Sequence, residues 1–266
     1  MFRKKDSVFR PQDRGCFERR ILRPLRPALP FIRRPGYNTR LMIRMILFDI
    51  DGTLIESDGS GAAAFERVFR SLFKIHGAAA KLDFRGNTDR GILRGFFERH
   101  DLEPSEENFE RFCSAYVHWL EQLLVERGGR TLPGIRRLLR ELAEFRRPVL
   151  SGLLTGNIRL GAEIKLRRFG IWDSFTTGAF GCEHHERNQL AAIARDRGSR
   201  ILDADLAGEQ ILVIGDTPRD VECAKSIGAR SVAVATGAYR RDQLEAHQPD
   251  FIFDDLSRVS LAELCG

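Results

Sequence analysis

Three short apolar runs in this chain of 266 residues each end on a polar residue. They are residues 41–48 before Asp49, residues 149–154 before Thr155, and residues 211–214, which lead through Gly215 to Asp216. Continuous apolar runs of this length are typical of parallel strands that are buried on both faces. Because the carboxyl ends of parallel strands meet at one edge of a sheet, the three polar residues are predicted to share a crevice.

Helical stretches separate these runs from further strand candidates at residues 175–180, 231–235 and 251–253. The helical stretch at residues 134–146 keeps its apolar side chains on one face, as an amphipathic helix does. Strands that alternate with helices predict an α/β fold with a doubly wound parallel sheet.

The interval between the first two apolar runs is about a hundred residues, far more than one crossover helix requires. Apolar residues recur at helical spacing near residues 62–73, 92–97 and 112–123. We therefore predict a small helical cap domain at residues 58–130, inserted into a core domain made of residues 45–57 and 131–266.

The N-terminal residues 1–44 carry 13 Lys or Arg against 3 acids, whereas the formal net charge of the whole chain is +6. Repeated prolines and a lack of apolar periodicity predict that this basic extension is disordered. A translation start placed too far upstream explains the extension equally well. The acids that interrupt the positive run argue against a targeting peptide and against nucleic acid as a partner.

The cellular compartment is indicated by what the rest of the sequence contains. No apolar run approaches the roughly 18 residues that span a membrane, and no secretory pattern follows the N-terminal charges. The 5 cysteines are far apart, which fits neither a zinc site nor a disulfide scaffold. We expect a cytoplasmic protein with no membrane partner, and the sequence does not decide between a monomer and a dimer.

The segment Asp49-Ile50-Asp51-Gly52-Thr53 directly follows the first apolar run. Two carboxylates two residues apart at a strand end can serve a cation and a reacting phosphate, and Gly52 allows the chain to turn sharply. By itself the pattern also fits a solvated turn.

The other two runs add polar groups of a complementary kind. Thr155, Gly156 and Asn157 supply a hydroxyl and backbone N–H groups that suit phosphate oxygens. Asp216 and Asp220 supply two more acids.

With these elements in this order, the chain from about Met45 onward resembles the haloacid dehalogenase superfamily. The pattern of that family is DxDGT, an apolar strand that ends in Thr or Ser, a basic residue, and GDxxxD. The resemblance implies that Asp49 attacks phosphorus and forms an aspartyl-phosphate. It also implies that Asp51 protonates the leaving alcohol and later deprotonates the water that hydrolyses the intermediate.

The resemblance further implies the residues that hold the phosphate and the metal. Thr155 would hydrogen-bond the phosphoryl oxygens, with Gly156 and Asn157 beside it. Mg²⁺ would be held by Asp49, the backbone carbonyl of Asp51, Asp216 and Asp220, the last from the first or the second coordination shell.

The basic residue departs from the family pattern, because residues 183–190 contain no Lys. Arg187 is the best substitute, since a guanidinium keeps the positive charge and can bind phosphate through two parallel hydrogen bonds. The rival is Lys165, whose neighbours Ile164, Leu166 and Phe169 follow helical spacing. That spacing favours a lysine on a helix surface, and the choice between the two cations stays open.

Within the predicted cap, residues 83–89 form a turn-prone segment. Related caps place a substrate-sensing loop near such a position. The candidates for contact with the organic part of the substrate are Arg85, Asn87, Thr88 and Arg94. The alternative is a helix start that Asn87 or Thr88 caps, with Asp89 placed favourably for the helix dipole.

The predicted function is Mg²⁺-dependent hydrolysis of a small phosphorylated metabolite, such as phosphoglycolate or a sugar phosphate. A phosphomutase of the β-phosphoglucomutase type would use Asp49 and Asp51 alike, and it is the alternative within the family. Asp51 disfavours a dehalogenase, which expels no alcohol that needs a proton. The alternative from another class is a non-catalytic protein that binds nucleic acid through its basic extension.

Overall fold

The structure of the protein is a computed structural model that describes residues 42–265. The predictions for the basic extension therefore lie almost entirely outside the described residues. The strands are β1 (Met45–Phe48), β2 (Ile55–Glu56), β3 (Arg130–Thr131), β4 (Leu150–Thr155), β5 (Thr177–Phe180), β6 (Ile211–Gly215), β7 (Arg230–Val234) and β8 (Phe251–Phe253). The main helices are α1 (Ser60–Phe73), α2 (Asp89–Arg99), α3 (Glu106–Arg127), α4 (Ile135–Glu144), α5 (Arg159–Arg168), α6 (Arg187–Ile201), α7 (Pro218–Ser226), α8 (Arg241–Glu245) and α9 (Leu261–Cys265).

Six of the strands form one parallel sheet in the order β5-β4-β1-β6-β7-β8. The central strand β1 is fully buried, and its side chains alternate between the two faces. Ile46 and Phe48 pack in the apolar cluster that includes α4 and α5, whereas Met45 and Leu47 pack in the cluster that includes α6 and α7. The predicted doubly wound α/β fold is confirmed, with strand ends shifted by a few residues.

The helices α1, α2 and α3 lie between β2 and β3, and we call this segment the helical insertion. Its two ends are joined because β2 pairs antiparallel with β3, with Ile55 opposite Thr131. The insertion has its own aromatic cluster, in which the rings of Phe69 and Phe96 stack with centroids 3.8 Å apart. The division into a core domain and a cap domain stays a prediction, because the described residues belong to one compact unit.

Helix starts in the insertion follow local capping chemistry. The Thr88 hydroxyl accepts a hydrogen bond from the Gly91 N–H at 3.0 Å, and the Ser105 hydroxyl accepts one from Asn108 at 3.3 Å. Each of these caps satisfies a backbone donor that the first helical turn leaves unpaired. No helix within residues 42–265 is long and apolar enough to cross a bilayer.

Candidate active site

The polar residues that end the central strands meet at one edge of the sheet. Asp49 follows β1, and its backbone N–H donates to the Ile214 carbonyl of β6 at 2.9 Å. Above this edge lies a cavity of about 480 Å³ between the sheet and the helical insertion. From the core it is lined by residues that include Asp49, Asp51, Gly156, Asn157, Lys165, Arg187 and Asp216, and from the insertion by residues that include Phe65, Phe84, Arg85, Asn87, Asp89 and Tyr116.

Arg187 lies against the predicted nucleophile. Its Nη2 atom donates to Asp49 Oδ1 at 2.8 Å, to Asp220 Oδ1 at 2.6 Å and to the Leu154 carbonyl at 3.2 Å. Burial raises the pKa of Asp49 to about 6, although the Arg187 charge opposes that shift. The Nε atom of Arg187 is buried without a hydrogen-bond partner in the described part of the chain.

Asp49, Asp216 and Asp220 form a buried acidic cluster, in which one carboxylate oxygen from each residue lies within 4.8 Å of one from each of the others. Burial, and then the charges of Asp49 and Asp220, raise the pKa of Asp216 well above its usual value. One guanidinium leaves three such carboxylates with an excess of negative charge. A hard divalent cation that prefers oxygen ligands matches both the donor set and that excess, so the residues present fit Mg²⁺.

The acids of this cluster differ in how far their oxygens are already engaged. Asp220 Oδ1 accepts from Arg187, and its Oδ2 accepts from the Thr217 backbone N–H at 3.0 Å and from the Thr217 hydroxyl at 2.7 Å. Asp216 Oδ1 accepts from the Thr53 hydroxyl at 3.2 Å. Asp220 therefore holds Arg187 and the start of α7, while Asp216 has more capacity for a cation.

Asp51 faces a different cation from Asp49. Its Oδ2 atom accepts from Lys165 Nζ at 2.6 Å and from Asn157 Nδ2 at 2.9 Å. Burial acts to raise the pKa of Asp51, but the Lys165 charge and these hydrogen bonds outweigh burial and hold that pKa below its usual value. The pKa values of Asp49 and Asp51, two residues apart, are thus shifted in opposite directions.

The prediction that Lys165 lies on a helix surface is wrong. Lys165 is 3% exposed, and its Nζ also lies 2.6 Å from Asn157 Oδ1. Its helix α5 is covered on two sides, because Ala162 packs in the core cluster and Ile164 packs against the cluster of the insertion. Both rival cations therefore reach the cavity, where they contact different acids.

Thr155 is placed differently from its neighbours. It is fully buried, and its hydroxyl oxygen accepts from Asn157 Nδ2 at 2.9 Å. Gly156 and Asn157 line the cavity. Only glycine fits at position 156, since a Cβ there would lie 1.9 Å from the Asn87 carbonyl oxygen. Asn157 thus stands between Thr155 and the cavity.

Among the predicted substrate contacts of the insertion, the structure brings Arg85 and Asn87 to the cavity. Thr88 is buried, and besides capping α2 its hydroxyl donates to the His185 carbonyl at 2.7 Å. Arg94 pairs with Glu98 on the outer face of α2 at 2.8 Å. Neither Thr88 nor Arg94 lines the cavity, and the helix-cap interpretation applies to Thr88.

Asp89 belongs to the cavity although the sequence indicated only a favourable position for the helix dipole. Its Oδ2 accepts from the Ile158 N–H at the start of α5 at 2.7 Å, and its own N–H donates to the Gly156 carbonyl at 2.7 Å. Burial raises the pKa of Asp89 to about 7. These contacts join the insertion to the core. The sequence around Asp89 contains no pattern that predicts them.

Comparisons with known proteins agree with this arrangement. A family model described as HAD-hydrolase-like, that is, haloacid dehalogenase-like, matches residues 187–259. A probable phosphatase, IndB, from Dickeya dadantii is 27% identical over 224 residues, which are 81% of this chain and 91% of that protein. A phosphoglycolate phosphatase from Pseudomonas putida is 28% identical over 225 residues, which are 80% of this chain and 77% of that protein.

Solved structures share the fold. CbbY from Rhodobacter sphaeroides, crystallised with phosphate, has a TM-score of 0.64 and 24% identity and covers 84% of this chain and 99% of its own. A β-phosphoglucomutase from Clostridium difficile has a TM-score of 0.63 and 19% identity and covers 84% of this chain and 96% of its own. The chain is thus similar in sequence to haloacid dehalogenase-like hydrolases, phosphoglycolate phosphatases among them, and its motif residues lie together at one sheet edge.

Proposed function

We propose that this protein is a Mg²⁺-dependent phosphatase that hydrolyses a small phosphomonoester through an aspartyl-phosphate on Asp49. The observation that carries the proposal is the contrast between Asp49 and Asp51 at one cavity. Asp49 lies in an acidic cluster with a guanidinium on one oxygen, and Asp51 lies two residues later beside an ammonium. Asp49 thus lies among the groups that would hold the metal and the phosphoryl group, and Asp51 lies apart from that cluster, as separate nucleophile and proton-carrier roles require.

In the first step, a carboxylate oxygen of Asp49 attacks phosphorus, and the bond from phosphorus to the ester oxygen breaks. The electron pair of that bond goes to the leaving oxygen, which takes a proton from Asp51 and departs as an alcohol. Arg187 fixes Asp49 through Oδ1 at 2.8 Å, and this contact orients the second oxygen of Asp49 for attack.

In the second step, a water molecule attacks the phosphorus of the aspartyl-phosphate and gives a proton to Asp51. The bond between phosphorus and Asp49 breaks, inorganic phosphate leaves, and both acids return to their starting states. Over the two steps a phosphomonoester and water become an alcohol and phosphate.

The metal would be held by Asp49, Asp216 and the backbone carbonyl of Asp51, with Asp220 acting through its bond to Arg187. When bound, Mg²⁺ supplies positive charge that offsets the repulsion between the carboxylates and the phosphate. The phosphoryl oxygens would be bound by Arg187 and by the backbone N–H of Gly156, beside Asn157, whose side-chain amide is engaged by Thr155, Asp51 and Lys165.

The substrate class follows from the size and lining of the cavity. A cavity of about 480 Å³ that the insertion lines on one side suits a small metabolite better than a folded protein. Arg85 and Asn87 would contact the organic part. Because a sequence relative is named phosphoglycolate phosphatase, 2-phosphoglycolate is the first compound to test, followed by sugar phosphates.

The test is release of inorganic phosphate from a panel of phosphomonoesters, with Mg²⁺ and with EDTA, by the wild type and by Asp49→Asn. The proposal expects Mg²⁺-dependent release that Asp49→Asn abolishes. Turnover that survives in Asp49→Asn rules out the nucleophile. A phosphomutase would instead convert a sugar monophosphate to its isomer with little free phosphate, so product analysis separates the two activities.

A further inference from the structure

Lys165 is a buried cation that the proposed two-step mechanism does not use. It occupies the centre of the buried stripe of α5, one turn after Gly161 and Ala162 and next to Leu166. A lysine is rarely buried to 3% exposure unless its ammonium has partners. Here the partners are Asp51 and Asn157, both at 2.6 Å, and both belong to the cavity.

The contacts of Asp51 distinguish its two carboxylate oxygens. Oδ2 is held by Lys165 at 2.6 Å and by Asn157 Nδ2 at 2.9 Å. Within residues 42–265, the hydrogen bond to Oδ1 comes from the Ser57 hydroxyl and is longer, at 3.2 Å. The Asp51 side chain is 41% exposed, whereas that of Lys165 is 4% exposed. Oδ2 is therefore held by two shorter hydrogen bonds and Oδ1 by one longer bond, on a side chain that lines the cavity.

The two cations of the site are separated by function as well as by contact. Arg187 bonds Asp49 and Asp220, on the side where phosphorus would be attacked. Lys165 bonds Asp51, on the side where the leaving oxygen would be protonated. Asn157 belongs to the Lys165 side, since its amide contacts Asp51, Lys165 and the Thr155 hydroxyl.

We propose that Lys165 is a positioning residue for the leaving-group half of the reaction, which holds Asp51 Oδ2 so that Oδ1 transfers the proton to the ester oxygen. This inference rests on the proposed function, because it assumes that Asp51 carries that proton. Lys165 acts through Asp51 and makes no direct contribution to the attack by Asp49. Arg187 thus holds the acid that attacks phosphorus, and Lys165 holds the acid that protonates the leaving oxygen.

The leaving group offers a direct test, because an alkoxide needs a proton to depart and a nitrophenolate does not. The rate constant kcat/KM is measured for an alkyl phosphate, 2-phosphoglycolate, or a sugar phosphate if that is the better substrate, and for p-nitrophenyl phosphate. The variants are Lys165→Met, Arg187→Met and, as a matched control, Arg168→Met, an exposed basic residue on the same helix.

Lys165→Met should lower kcat/KM roughly 100-fold for the alkyl phosphate and no more than about 3-fold for p-nitrophenyl phosphate. Arg187→Met should lower both by similar factors, and Arg168→Met should change neither. Equal losses on both substrates in Lys165→Met, or no loss on either, would overturn the positioning role. The proposed function fails separately, if Asp49→Asn still turns over either substrate.

A double-mutant cycle checks that Lys165 acts through Asp51. On the Asp51→Asn background, Lys165→Met should cost less than about 3-fold for the alkyl phosphate, since the group it positions is already gone. A full additional loss on that background contradicts the proposal. If Lys165→Met fails to fold, as thermal melting would reveal, Lys165→Gln keeps a donor to Asp51 without the charge and should show a smaller loss with the same substrate dependence.

Discussion

The edge of the main sheet and the helical insertion line the same cavity with different kinds of side chain. At the sheet edge the charged groups are buried and bonded to one another, as Arg187 is to Asp49 and Asp220. On the insertion, the Arg85 side chain is 57% exposed and pairs with Asp83, whose side chain is 48% exposed. Buried charge networks are costly to alter, whereas exposed pairs contribute little to stability. We infer that the sheet edge sets the reaction and that the insertion sets which molecule undergoes it.

The largest effect that this comparison predicts concerns Asp216. Asp216→Asn should lower phosphatase activity at least about 1,000-fold, because it removes a ligand of the proposed metal site. The same change should raise the melting temperature in EDTA at pH 8. Burial raises the pKa of Asp216, so the folded wild type loses stability as pH rises, and an amide does not bear that cost.

The control for Asp216→Asn is the melting temperature with and without Mg²⁺. The ion should stabilise the wild type and have a much smaller effect on the variant. If the variant melts below the wild type in EDTA, the Asp216 carboxylate does not destabilise the metal-free protein. The electrostatic argument for a cation at this site would then fail.

The second prediction concerns Arg187. Arg187→Met should lower kcat about 100-fold and destabilise the protein by about 3 kcal/mol, because it leaves Asp49 and Asp220 buried without their cation. Kinetics and denaturant unfolding measure the two effects. Arg187→Lys, which keeps the charge but has fewer donors, should recover part of both. Wild-type kcat in Arg187→Met would break the assignment of chemistry to the sheet edge.

The sheet edge could be predicted from the sequence because Asp49, Thr155 and Asp216 each end an apolar run. A run of buried strand residues marks its own boundary, and parallel topology then brings Asp49, Thr155 and Asp216 together without further information. The family motif added roles to residues that the topology had already grouped. These predictions use only local patterns and one general rule of sheet geometry.

Lys165 and Asp89 could not be placed in the same way. The apolar spacing of α5 predicts that one face of the helix is buried and the other is exposed to solvent. In the structure the core covers one face and the insertion covers another, so Lys165 is buried. Asp89 reads as a helix-start acid, yet its carboxylate bonds Ile158, far away in the chain. Both depend on how the insertion docks, which no local spacing encodes.

The third prediction tests the insertion as the source of recognition. Arg85→Ala should raise KM for the preferred substrate about 5-fold to 10-fold and leave kcat within about 2-fold, since an exposed side chain at the rim binds ground state and transition state alike. Arg94→Ala is the matched control, because Arg94 lies on the same insertion but does not line the cavity. A fall in kcat comparable to that of Arg187→Met would erase the distinction between the two regions.

The smallest effect is expected at Asp89, where the insertion meets the core. Burial raises the pKa of Asp89 from 3.8 to about 7, so the folded state holds a proton that the unfolded state has already lost, and the wild type loses stability as pH rises between these values. Asp89→Asn cannot ionise and keeps an oxygen for the Ile158 N–H. Its melting temperature relative to the wild type should therefore increase between pH 5 and pH 8. Asp49 and Asp216 titrate in both proteins, so the difference between the two melting curves isolates Asp89.

Asp89→Ala loses the bond itself and should melt lower than Asp89→Asn at both pH values. If the difference in melting temperature between Asp89→Asn and the wild type does not change with pH, then Asp89 does not lose its proton in this range. The insertion would then contribute no buried charge where it meets the sheet edge.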